Sequence, residues 1–108
     1  MAQATVTRET AHAARDAALG VDGVAGLDGG RVGEVALLLP GERVEGLKHA
    51  QRGDAGTGIE AHIVFDVSSG RDIESVAGDV RNAILANTDF TFVDVVVADA
   101  VDGASSSD

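Results

Sequence analysis

The 108-residue chain has no cysteine, tryptophan or tyrosine and a single proline. Without cysteine there can be no disulfide, no thiolate metal site and no cysteine nucleophile. Aromatic residues are only 3% of the chain: Phe65, Phe90 and Phe92. Valine and alanine supply most of the apolar count. Each removes little area from water when buried, so an ordinary or marginal stability is expected. Long apolar runs are missing too. The longest, residues 35–39, falls far short of the ~20 residues that span a bilayer. The N-terminus shows neither the basic start nor the apolar stretch of a secretory signal, so export by that route is not expected. Positive charge is also scarce. Eight basic residues face 18 acidic ones, for a formal net charge of −10. The acids are spread along the chain, and this diffuse field repels phosphate backbones and anionic lipid headgroups.

What is present fits one small α+β domain. Residues 6–19 read as an alanine-rich helix capped by Thr5 or Thr7 and stopped at Gly20. Val6, Ala14, Ala17 and Ala18 form its weak apolar side. A turn and short strand follow over 21–27, then an Asp28-Gly29-Gly30 loop. The spacing of Val32, Val35, Ala36 and Leu39 predicts a short helix over 31–39, apolar almost all round and stopped by Pro40-Gly41. Residues 44–50 read as a strand and 51–57 as a turn. Strict alternation over 59–67 places Ile59, Ala61, Ile63, Phe65 and Val67 on one face and Glu60, His62 and Asp66 on the other. That strand should form an antiparallel hairpin with the one before it.

Residues 71–87 give the clearest helix, with Ile73, Val76, Ala77, Val80 and Ile84 in one stripe. Ser69 with Asp72 resembles a capping box. The last strand covers 90–98, with Val93, Val95 and Val97 inward. If its neighbour is the strand before the helix, the two run parallel. The expected order is α-β-α-β-β-α-β, a mixed sheet of three to four strands with helices packed on it. Residues 1–101 form the domain, and 102–108 a disordered acidic and serine-containing tail.

Motifs that carry chemistry are weak. Gly56-Thr57-Gly58-Ile59-Glu60-Ala61 fits a loose dinucleotide pattern, but it opens a strand where that motif must open a helix. Gly53-Asp54-Ala55-Gly56 fits the G-x-x-G of KH domains. It joins strands rather than helices and carries an acid where basic residues are usual. Glu60, His62 and Asp66 share a strand face at ~7 Å spacing, which suits a solvated face better than one metal ion. His12 and His49 have no evident carboxylate partner. No nucleophile elbow, P-loop or H-E-x-x-H is present. No metal, cofactor or catalytic residue is therefore assigned.

Several segments together resemble the alkaline-shock-protein family of bacterial envelope stress proteins. They are Val21-Asp22-Gly23-Val24-Ala25-Gly26-Leu27 after a small-residue helix, and Arg31-Val32-Gly33-Glu34-Val35 through Leu39-Pro40-Gly41. The helix pattern of Gly70, Ile73, Val76, Ala77, Val80 and Ile84 and the closing Val93-Asp94-Val95-Val96-Val97-Ala98-Asp99 complete the set. The resemblance spans roughly residues 6–101. The turn at 51–58 is longer than usual, and Asp66-Val67-Ser68-Ser69-Gly70 replaces the usual Tyr-Gly. The resemblance implies a non-enzymatic cytoplasmic protein held near the membrane by a membrane-anchored partner or a same-family paralogue. It also implies self-association and a role in cell-envelope homeostasis. An acidic chain without an anchor would need such an intermediary. Expected contacts are Leu37, Leu38, Val96 and the sheet edge, through β-augmentation. The alternatives are a KH-like nucleic-acid binder, which needs a local basic surface, and a small enzyme or ligand carrier. A deep cleft gathering acids and histidines would contradict the interaction reading.

Overall fold

The structure, a computed structural model, describes residues 6–102, with the side chain of Ala55 left out. Of the tail expected over 102–108, residues 103–108 lie outside the described residues. Two helices and six strands follow the order α1 (Arg8–Leu19), β1 (Val24–Leu27), β2 (Ala36–Leu39), β3 (Glu42–Glu45), β4 (Leu47–Gln51), β5 (Thr57–Asp66), α2 (Ile73–Asn87) and β6 (Phe92–Val101). The mixed α+β class holds.

The local chemistry of each helix explains its limits. Thr7 caps α1 by accepting the Thr10 amide at 3.1 Å. Ala11, Ala14 and Ala18 recur at helical spacing and are fully buried, so α1 can pack closely. Asp72 is itself the N-cap of α2, accepting the Ser75 amide at 3.0 Å. Ser69 takes no part in a capping box; its hydroxyl accepts the Arg71 amide. Val76, Val80 and Ile84 bury the inner stripe of α2, whereas Ile73 stays exposed. Val67 also differs from expectation. It lies in a short 3-10 turn after β5 and is exposed.

β5 is the spine of the sheet. It pairs with β1 and β4 in antiparallel register and with β6 in parallel register, the two joined through α2. β4 covers the first half of β5 and β1 the second, so the two short strands share one of its sides. Residues 28–46 leave that side and return to it. The seam is closed at His62, which donates its amide to the Gly46 carbonyl (2.8 Å) and accepts from the Asp28 amide (2.9 Å). One face of β5, carrying Ile59, Ala61, Ile63 and Phe65, is buried in a single core with both helices, Leu47 and Val93.

The excursion holds the main departure from sequence expectation. Residues 31–39 are not a helix. A loop leads into β2, which pairs with β3 in a hairpin turned by Pro40-Gly41. Gly33 and Gly41 both take positive φ (78° and 76°), which breaks the helix inside the segment and shapes the hairpin turn beyond it. Gly46, at φ 91°, also divides the strand expected over 44–50 into β3 and β4.

Candidate functional site

The side of β6 away from β5 is an open edge of the sheet. Among the described residues β6 pairs with β5 alone. Which backbone groups it leaves open follows from the ladder. Both amide and carbonyl of His62 point to the β1/β4 side, so by alternation those of Ala61 and Ile63 point to β6. In a parallel ladder such a residue bonds to the neighbours of its partner, not to the partner itself. Ala61 lies beside Val95 and Ile63 beside Val97. Asp94 and Val96 therefore bond to β5, while Val93, Val95 and Val97 turn their amides and carbonyls outward.

Two outward groups are already engaged. Arg81 of α2 donates through Nε to the Val93 carbonyl at 3.3 Å. Near the far end, the Asp99 carboxylate accepts the Ala100 amide at 2.8 Å. A register shift between Ile63 and Val64 leaves Ala98 as the extra residue of a bulge. The uncapped stretch thus runs from Val95 to Val97. The acid next to it in sequence, Asp94, is held by Arg52 through two contacts of 2.5 and 2.6 Å. Arg52 also stacks on Phe92, 4.2 Å from the ring centroid.

The expected contact residues separate. Val96 is half-buried on the sheet face opposite the helices, beside the open stretch. Leu38 is exposed (74%) on the outer side of the hairpin. Leu37 is not a surface contact: it is 5% exposed and packs in the core with Val44, its cross-strand partner.

A second feature is a cleft of about 500 Å3 lined by Asp28, Gly30, Arg31, Glu34, Val35, His62, Ala98 and Asp99. It does gather acids and a histidine. Two of the carboxylates, however, hold the loop in shape: Asp28 accepts the Gly30 amide at 2.8 Å and Glu34 the Val32 amide at 3.1 Å. Backbone amide bonds, from Glu34 itself and from Val32, keep the Glu34 carboxyl below its ordinary range. A general acid at neutral pH needs the opposite shift. His62 Nε2 is shielded from solvent and unbonded among the described residues; Glu60 Oε1 sits 3.3 Å away without bonding geometry.

Asp66, on the same strand face, accepts the Ser68 amide. No group of three or more histidine or acidic side chains is placed to hold a metal ion among the described residues. Nor is any helix among them long and apolar enough to cross a membrane.

Sequence reasoning missed one contact entirely. His12 Nε2 lies 2.5 Å from Glu42 Oε2, and Arg8 Nε donates to Glu42 Oε1 at 2.9 Å. These bonds tie α1 to the excursion hairpin. The partners are 30 and 34 positions apart, and no local pattern announces them.

No family model, curated protein or solved structure matches the chain.

Proposed function

We propose that this chain is a non-enzymatic interaction module of the bacterial envelope stress response. It works on the cytoplasmic side of the membrane and offers the open side of β6 to a membrane-anchored protein or to a chain of its own kind. The observation that carries the interaction reading is the uncapped, apolar stretch from Val95 to Val97 on the open side of β6. Exposed apolar edges are ready templates for strand addition, and proteins that do not use them usually block them with charge. Here the adjoining acid, Asp94, is paired with Arg52. The envelope setting rests on the sequence resemblance.

Proximity crosslinking in the membrane fraction tests this reading, with the wild-type chain compared with Val96→Lys. The reading expects envelope proteins, or further copies of the chain, to be captured by the wild type and lost in the variant. Capture of the same set by both chains, or of none by either, overturns it.

A small-ligand carrier is the second reading, favoured by the cleft and by the unbonded Nε2 of His62. Titration with calcium or an alkylammonium ion, followed through the His62 ring resonances, tests it. Unmoved resonances reject it.

A further inference from the structure

We infer that the end of the domain where β5 and β6 finish is a docking surface for a basic, apolar polypeptide segment. This rests on the interaction reading. It gives the partner a chemistry and a second point of contact, apart from the open side of β6.

Short contacts gather several segments at this end. The Asp66 amide, at the end of β5, donates to the Gly23 carbonyl at 2.8 Å. Val101, the last residue of β6, lies beside Asp66 in the parallel ladder. Arg71, just before α2, donates through Nη1 to the Asp22 carbonyl at 2.8 Å. α1 runs into the same turn, where the Val21 amide donates to the Ala18 carbonyl at 3.2 Å. Leu19, Val67, Ile73 and Val101 are all exposed here. Only Val32 and Leu38, on the excursion, are comparably exposed large apolar side chains among the described residues. Apolar exposure concentrated in one place and rimmed by charge marks an interaction site.

The acids, dispersed in sequence, converge in the fold. Residues 15–24, 66–79 and 99–102 hold eight acids against two arginines, so six of the ten net negative charges lie here. Neither arginine is free. Arg15 bonds Asp16 at 3.1 Å and Arg71 bonds Asp79 at 2.8 Å. Asp66 and Asp72 each use one oxygen to cap an amide, of Ser68 and Ser75. Asp22 and Glu74 are exposed carboxylates beside the apolar group.

This pattern selects the occupant. Apolar side chains among an excess of acids are complemented by a segment that carries both apolar residues and lysine or arginine. A second copy would set acid against acid. Phosphate backbones and anionic headgroups meet the same repulsion. Residues 103–108, which follow β6, contain no base and no large apolar side chain, so they are not the segment. A membrane-anchored partner carries this chemistry where its chain meets the cytoplasm, because lysine and arginine concentrate there beside apolar sequence.

The test uses the full chain and a synthetic peptide of three Lys-Leu-Leu-Lys repeats, with a Lys-Ser-Ser-Lys peptide as the charge-only control. On titration the amide resonances of residues 19–23, 67–76 and 100–102 should move most, and far more with the leucine peptide than with the serine one. Asp22→Asn with Glu74→Gln should weaken binding about 5-fold. Asp54→Asn with Asp89→Asn removes the same charge at the opposite end of β5, ~30 Å away, and should leave binding unchanged. Val67→Ser, at an exposed position, should weaken the leucine peptide alone. No binding overturns the inference. Equal weakening by the two charge pairs, equal binding of the two peptides, or shifts spread over the whole acidic surface overturn it as unspecific attraction. The interaction reading survives those results if Val96→Lys still loses captured proteins in the membrane fraction. Selective peptide binding at this end with nothing captured from the membrane removes that reading and leaves the surface.

Discussion

Gly46 accepts the amide of His62 at 2.8 Å, and this bond brings the chain back to the side of β5 that it left after Leu27. The close approach depends on glycine. A Cβ on Gly46 would lie 2.4 Å from the Cβ of Leu27, and its φ of 91° disfavours any L side chain. Gly46→Ala therefore combines backbone strain of about 1–2 kcal/mol with a steric clash in packed structure. Gly41, in the hairpin turn, has a similar φ of 76° and open space around it. Gly41→Ala should cost the strain alone. Chemical denaturation of both variants checks this: the midpoint should fall further for Gly46→Ala.

Leu37 and Leu38 are neighbours with opposite fates. Leu37 is 5% exposed and Leu38 is 74% exposed. Leu37→Ser removes a core side chain and buries a hydroxyl, with an expected loss of ~3 kcal/mol or more. Leu38→Ser should stay within about 0.5 kcal/mol of the wild type. Thermal melts distinguish the two. Equal losses would mean that the hairpin is not docked through its Leu37 face.

The hairpin is also held to α1 by charge, which gives it a pH dependence. The hydrogen bond from His12, with a further contribution from Arg8, keeps the Glu42 carboxyl below its ordinary value in the folded state. A carboxyl lowered by folding adds stability above its unfolded pKa. That contribution fades as the pH falls through the folded one. Wild type should therefore be more stable than Glu42→Gln at neutral pH, and the two should converge in acid. Denaturant titrations of both proteins over a pH series measure the gap. A gap that widens toward acid would reverse the sign and refute the clamp.

The elements that sequence made legible are those whose period belongs to one structure only. β5 alternates from Ile59 to Asp66, and α2 repeats Val76, Val80 and Ile84 at helical spacing. The segment over 31–39 misleads because Val32, Val35, Ala36 and Leu39 fit a helix face by accident, while Pro40-Gly41 serves equally as a helix stop and a hairpin turn. The positive φ of Gly33 shows itself only in the folded chain. The site is partly legible for a similar reason. Val93, Val95 and Val97 announce a strand with a buried face, but the same run would suit a central strand. Only the topology, with β5 taken on its other side by β1 and β4, makes β6 an edge and leaves Val96 half-buried beside an open ladder.

The central claim is that β6 carries an unsatisfied ladder reserved for another chain, and residue-resolved amide exchange reads it directly. In dilute protein the amides of Val95 and Val97 should exchange almost unprotected, while those of Asp94 and Val96, bonded to β5, exchange slowly. Val95 and Val97 amides as slow as their neighbours at every dilution would show that the edge is already satisfied within one molecule, and would contradict the account.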